Sequence, residues 1–247
     1  MNQAAAPIET NVLPRVLVGV CTLNEVGNIT AMIERLRLVL PEADVLIVDD
    51  NSSDGTSQAV TQWASQDKHV KLLTRYERGL GGAIRTAMQA AVDGKYDFFL
   101  NLDGDLSHSP DDLPRLLDRA DQQPPVDVVV GSRYIDGGQI VGWPIHRKWM
   151  SRIVNRFATL CLRLPVKDCS GSMRCYRVSS LGSMDLASLR SNGYSVLEEV
   201  LVRLNRMDAA MAEVPITFTD RTKGESKLTI REAIRSTWQI LNLAFRR

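Results

Sequence analysis

The stretch "YDFFLNLDGDLSHSPDDLPRLLDRA" (residues 96–120) carries the reading on which the fold turns. An apolar run, "FFLNL", ends in two aspartates, Asp103 and Asp105, with only Gly104 between them. A polar loop with Ser107 and His108 follows. Then "PDDLPRLLDRA" (110–120) takes helical spacing, and its proline and two acids suit a first turn. The order is buried strand, polar loop, helix. Two like charges set together at a strand end repel each other, so a cation belongs beside them.

The same order repeats on both sides of this stretch. "RVLVGV" (15–20), "ADVLIVDD" (43–50), "VKLLT" (70–74) and "VDVVVGSR" (126–133) read as strands. Helical segments at 27–40, 51–64 (after a turn) and 81–92 lie between them. This alternation predicts an α/β fold, with a mostly parallel central sheet and helices on both faces. Such sheets bind ligands beyond the carboxyl ends of their strands. The polar clusters fall there: "CTLNE" (21–25), "DDNSSDGT" (49–56), "DGDLSH" (103–108) and "GSRY" (131–134). After residue 134 the alternation weakens. A Gly-rich loop (135–144), a helix (146–164), a short strand within 171–177, a helix (195–207), an extended segment (212–221) and a terminal helix (229–245) are expected. Residues 1–14 have no period and read as a flexible arm before a domain spanning 15–228, with 229–247 as its C-terminal amphipathic helix.

With 247 residues, 44% apolar and 24% charged, the chain suits one large domain, and a net charge of +1 gives no signal for nucleic acid. Cys21, Cys161, Cys169 and Cys175 lack metal-site spacing and read as reduced thiols. There is no signal-peptide pattern and no run of the ~18 apolar residues a spanning helix needs. The expectation is a cytoplasmic protein, with contact to a membrane surface left open.

Each motif has a plain reading beside a chemical one. Carboxylates at Asp103 and Asp105 suit one hard cation with oxygen ligands, Mg²⁺ or Mn²⁺, which keeps positions for phosphates. An Asp–Gly turn explains the same residues. Asp50 at a strand end suits a ribose or base, and Asp54 a helix cap. Gly79, Gly81 and Gly82 lack the third glycine of a dinucleotide motif, because Ile stands at 84. A helix start near a diphosphate and tight helix–sheet packing both fit them. Arg133, Arg147, Lys148 and Arg152 suit phosphate, or a solvated basic face. "FTDRTKGESK" (218–227) offers Arg221 and Lys227 as a mobile lid, or is a plain loop. His69, His108 and His146 form no metal set, and neither a nucleophile elbow nor a P-loop is present. In helix 146–164, Lys148, Arg152, Arg156 and Arg163 fall within about 80° of arc. Docking on a membrane interface and burial against the sheet both fit this helix.

The ordered set "TLNE", "IVDDNSSDGT", "LDGDLSHSP", "VVGSRY", "RKWMSR", "DCSGSMRCYR", "GYSVLEE" and "FTDRTKGESK" resembles the dolichyl-phosphate (polyprenol-phosphate) mannose synthases. These are inverting family 2 glycosyltransferases with the nucleotide-sugar-binding GT-A fold. The likeness runs over about residues 16–228. It departs at Gly104, where the family often has Ala, and at Leu23, which replaces an aromatic. The resemblance implies transfer of mannose from GDP-mannose to a polyprenyl (dolichyl-type) monophosphate, with inversion. Thr22, Asn24, Glu25, Asp50, Ser52, Gly82 and Gly104 would contact the nucleotide sugar, together with Asp103 and Asp105. Those two aspartates and Ser107 would hold Mg²⁺ or Mn²⁺. Arg133, Arg147, Lys148, Ser151, Arg152 and Ser172 would meet the acceptor phosphate and lipid. Arg133, Arg221 and Lys227 would join the aspartates in catalysis. The implied setting is peripheral, at the cytoplasmic face of a membrane or on a small membrane-anchoring partner, with no nucleic acid. A UDP-glucose-dependent polyprenyl-phosphate glucosyltransferase and an inactive nucleotide-sugar binder are the alternatives.

Overall fold

The structure, a computed structural model, describes residues 13–191 and 193–220. The expected terminal helix, most of the N-terminal arm, Arg221 and Lys227 lie outside the described residues. The first half alternates strand and helix: β1 (Val16–Thr22), α1 (Ile29–Val39), β2 (Asp44–Asp49), α2 (Thr56–Gln66), β3 (Val70–Thr74), α3 (Leu80–Asp93), β4 (Phe98–Asp103) and α4 (Leu113–Asp121). Then come β5 (Val128–Ser132), β6 (Gln139–Val141), α5 (Ile145–Cys161), β7 (Arg174–Arg177), α6 (Val178–Gly182), α7 (Ser195–Arg206), β8 (Met211–Pro215) and β9 (Thr217–Thr219). The helix expected at 110–120 opens as a 3₁₀ turn, Pro110–Asp112, capped by the Ser109 hydroxyl.

The main sheet has seven strands in the order β3-β2-β1-β4-β7-β5-β8. β7 alone runs antiparallel, between β4 and β5, so the sheet is mostly parallel, as the alternation predicts. One expectation needs correction. The Gly-rich segment 135–144 is not all loop: β6 within it pairs in parallel with β9, Ile140 opposite Phe218. A three-residue strand is too short to show a period.

Alternation along each strand divides the apolar residues between two cores. Leu17, Leu46, Phe99, Val128 and Val130 pack with α3, α7 and Ala158 of α5. Val18, Ile47, Phe98, Leu100 and Val129 pack with α1, α4 and Val60 of α2. The strand order reverses at the β1–β4 pair, so a crevice opens beyond their carboxyl ends. Cys21 stands opposite Asp103 there. Gly104 lets the two strand ends close up: a Cβ at this position would lie 2.8 Å from the Thr22 methyl.

Gly19, in the middle of β1, is a second close approach, since a Cβ there would sit 2.7 Å from the Phe99 ring and 3.0 Å from Ala87. Gly19→Ala is expected to cost about 1–3 kcal/mol by overpacking. It would be read as a lower urea midpoint at constant m-value. An unchanged midpoint would mean that the ring yields without strain.

Candidate active site

Three strand ends build the first bay. Buried Asp49 ends β2, and its carboxylate accepts from Thr22 Oγ1 (3.0 Å), the Ser52 backbone N–H (2.9 Å) and Ser57 Oγ (2.6 Å). Burial would raise this carboxyl, but the hydrogen bonds from Ser52, Ser57 and Thr22 outweigh it and hold Asp49 below the ordinary range. Ser52 Oγ in turn accepts from the Asn24 N–H at 2.7 Å, and Asn24 Oδ1 accepts from the Ser53 N–H at 3.0 Å. Asp54 ties the same loops by accepting from the Val26 N–H at 3.0 Å, and the Glu25 N–H donates to Thr56 Oγ1 at 2.9 Å. Thr22, Asn24, Glu25 and Ser52 are therefore brought together.

Asp50 takes another role within this chain. One oxygen pairs with Arg75, and the other accepts from the Gly79 N–H at 2.7 Å. Gly82 packs directly on that guanidinium, where a Cβ would meet Arg75 Nη2 at 2.1 Å. Sequence reasoning missed Arg75, which gives no signal beyond lying just past β3.

The acidic pair sits next to this bay. Asp103 Oδ2 accepts from Ser172 Oγ at 2.8 Å, and Asp105 Oδ1 accepts from the Ser107 N–H at 2.9 Å. Ser172 Oγ also lies 3.5 Å from His108 Nδ1. Ser107 Oγ is buried and has no hydrogen-bond partner among the described residues. Two carboxylates and an unpartnered hydroxyl fit a small hard cation that takes its remaining ligands from substrate and water. No group of three or more His, Cys, Asp or Glu suited to a metal exists among the described residues. The pair is thus a partial shell rather than a closed structural site.

The basic half forms around β5 and α5. Arg133 is buried and makes a bidentate ion pair with fully buried Asp168, Nε to Oδ2 at 2.8 Å and Nη2 to Oδ1 at 2.9 Å. Nη2 also donates to Ser170 Oγ at 2.7 Å. The expectation that Arg133 is a phosphate ligand is corrected to this extent: its charge is already balanced inside the protein. Burial alone would raise Asp168, but Arg133 overrides it and holds the carboxyl below its usual range. Arg133, Tyr134, Lys148, Trp149 and Arg152 border a cavity of about 390 Å³. Ser151 meets it indirectly, 2.7 Å from the Tyr134 hydroxyl. Arg147 lies over the Trp143 ring, 3.9 Å from its centroid, and pairs with Asp220 at 3.5 Å. Ser172 belongs to the acidic pair rather than to this cavity.

Helix α5 buries only Asn155, Ala158 and Thr159, so the burial reading holds for Ala158 and for Leu162 and Leu164 just past the helix, but not for most of its apolar residues. Ile145, Trp149, Ile153, Phe157 and Leu160 are exposed, Trp149 by 63%. No helix among the described residues is long and apolar enough to cross a membrane. Burial pushes the Cys21, Cys169 and Cys175 thiols up, so none supplies a thiolate.

An acidic pair at the switch point of a mostly parallel sheet, with a cavity of about 390 Å³ lined by arginine and lysine, fits a protein that handles a nucleotide and a second anion. Comparison with known proteins agrees. The family model "Glycosyl transferase family 2" matches residues 17–184, and the chain belongs to that family. The chain is 38% identical over 216 residues to the undecaprenyl-phosphate mannosyltransferase of Micrococcus luteus, covering 87% of this chain and 88% of that one. It is 34% identical over 225 residues to the polyprenol monophosphomannose synthase of Mycolicibacterium smegmatis, covering 89% and 84%. Glucosyl-3-phosphoglycerate synthase from Mycobacterium tuberculosis, solved with Mn²⁺, UDP-glucose and phosphoglyceric acid, superposes with a TM-score of 0.68 at 15% identity. That match covers 95% of this chain and 81% of that one, and it establishes the GT-A fold.

Two predictions follow from the buried charges. Removing one partner of the ion pair with Asp168→Ala leaves Arg133 uncompensated and should lower stability by about 3–5 kcal/mol in urea titrations. A loss under about 1 kcal/mol would show that water reaches the pair. The second concerns pH. Burial, with Arg133 nearby, drives His108 down to about 4 from 6.5. The unfolded chain then binds more protons between those values, so the stability His108 contributes is complete above 6.5 and is lost as pH falls towards 4. Burial raises Glu198 to about 7 from 4.5, against the opposing pull of Arg174. Its contribution is complete below 4.5 and is lost as pH rises through 7. The two slopes oppose each other over the shared window. Glu198→Gln should therefore expose a stability that rises with pH between about 4 and 6.5. Urea midpoints taken across that range should show the variant gaining on wild type as pH rises, and parallel curves would refute the Glu198 assignment.

Proposed function

We propose that this chain transfers mannose from GDP-mannose to a polyprenyl monophosphate with inversion, giving a β-mannosyl phosphoryl polyprenol. One observation carries the reading. The cavity bordered by Lys148 and Arg152 opens beside the exposed apolar side of α5, which suits an anionic head on a long apolar tail. The relatives' names, both of mannose transfer to or on a polyprenyl phosphate, support it.

The bay at Thr22, Asn24, Glu25 and Ser52 takes the nucleoside, with Asp50 setting the position of Arg75 at its floor. Asp103, Asp105 and Ser107 would hold Mg²⁺ or Mn²⁺, which would supply charge neutralisation for a leaving diphosphate. Ser172 orients Asp103. Lys148 and Arg152 hold the acceptor phosphate, while Arg133, fixed by Asp168, lines the same cavity. A phosphate monoester is largely dianionic near neutral pH, with a second pKa of about 6. One of its oxygens forms the bond to C1 of mannose as the bond from C1 to the β-phosphate oxygen breaks, and that electron pair leaves with GDP. No proton has to move, so no general base is required. The apolar side of α5 rests in the membrane interface at the cytoplasmic face, where the polyprenyl tail lies.

The test is turnover by the full chain in detergent with a polyprenyl phosphate, reading the lipid product by mass. GDP-mannose should give product and UDP-glucose should not; the reverse would transfer the assignment to a glucosyltransferase. Asp103→Ala should lower kcat by about a hundredfold to a thousandfold, and EDTA should do the same to wild type. Undiminished turnover in EDTA would remove the metal from the reading.

A further inference from the structure

A second cavity, of about 420 Å³, lies further along α5, between Tyr134 and Lys167. Its lining carries three cations, Arg152, Arg156 and Lys167, against one carboxylate, Asp136. None of the three cations forms an ion pair with a carboxylate among the described residues. Only Tyr134 and Arg152 are shared with the acceptor cavity. Lys148 and Arg156 are eight positions apart, about 12 Å along the helix axis.

The walls of this cavity are fixed. Asn155 is buried and donates to the Lys167 carbonyl, while its Oδ1 accepts from the Cys169 N–H at 3.0 Å. The Lys167 N–H donates to Glu213 Oε2 at 2.8 Å. Both backbone groups of Lys167 are thus pinned, and its ammonium chain starts from a set point on the rim. On the helix, Arg156 falls between the side that carries buried Asn155 and the exposed apolar residues Ile153, Phe157 and Leu160. A cation in that position lies at the boundary between an apolar phase and water.

We propose that this cavity is a second anion site, which takes the phosphodiester headgroup of an anionic membrane lipid next to the acceptor. It rests on the membrane reading of α5, but not on the identity of the sugar donor. Charge complementarity selects the occupant: with Arg152 given to the acceptor cavity, Arg156 and Lys167 still outnumber the one carboxylate, Asp136, and the adjoining helix side is apolar. A bound lipid there would hold α5 at a fixed depth and rotation, so that the acceptor cavity opens at headgroup level.

The test uses the full chain and vesicle flotation. One set of vesicles is phosphatidylcholine alone, the other is doped with phosphatidylglycerol, and neither contains polyprenyl phosphate. Arg156→Ala and Lys167→Ala should each weaken binding to doped vesicles by about fivefold and leave binding to phosphatidylcholine unchanged. Arg163→Ala removes an exposed charge outside the cavity and should change binding by less than about twofold. An equal loss for Arg163→Ala would reveal a diffuse field rather than a site, and no loss for Arg156→Ala and Lys167→Ala combined would remove the site. Displacement of wild type from doped vesicles by inorganic phosphate at constant ionic strength would reassign the cavity to free phosphate and overturn the lipid proposal. Turnover in detergent should be the same for Arg156→Ala as for wild type. Failure of the mannosyl-transfer reading would appear in that assay alone, and failure of the lipid site in flotation alone.

Discussion

At Arg133–Asp168 a guanidinium and a carboxylate meet with almost no water, and three parts of the chain converge on them. Asp168 accepts from the Arg133 side chain and backbone, and from the N–H groups of Ser170 and Gly171. The turn that leads into β7 is shaped by those bonds, and its next residue, Ser172, donates to Asp103. On the other side, Cys169 and Lys167 clasp Asn155 of α5. The pair therefore joins the acidic loop after β4 to the basic helix. Neither charge can turn outward without leaving the other buried and alone, at a cost of several kcal/mol. That penalty holds the turn that carries Ser172 to Asp103 in place.

The distinction between a ligand and a strut is what the sequence does not display. Strand and helix periods are local, so the alternation through residue 133 is legible residue by residue. Acids at the carboxyl ends of strands are legible too, because their place in the fold marks them. Their partners are not. Asp49 and Asp50 look alike on the page, yet Asp49 braces its own loop through Ser52 and Ser57, and Asp50 is occupied by Arg75 and Gly79. Arg133 is drawn the same way to Asp168, 35 residues on. The direction of β7 is equally hidden: "RCYR" has strand character, but only packing between β4 and β5 decides that it runs antiparallel.

Helix α5 shows the same limit in another form. Its cations are visible in the sequence as one arc, while its apolar residues fit either a membrane interface or the core. The fold separates the two. What α5 sets against the domain is Asn155, Ala158 and Thr159, and its aromatic and aliphatic residues point away. A row of large apolar side chains on an exposed helix is costly in water. On the proposed reading the outer phase is the bilayer interface, so the helix is amphipathic with respect to the membrane rather than to the core.

This arrangement also bears on which groups do chemistry. The site contains a buried neutral imidazole, His108, and thiols raised by burial. Neither kind of group is suited to taking a proton near neutral pH. Neither can serve as the base for a hydroxyl acceptor. The site is adequate for an acceptor that arrives already ionised, because the remaining work is electrostatic: one anion must approach while another departs. On the proposed reading, cations on the α5 side and acids that would recruit a cation on the β4 side divide that work.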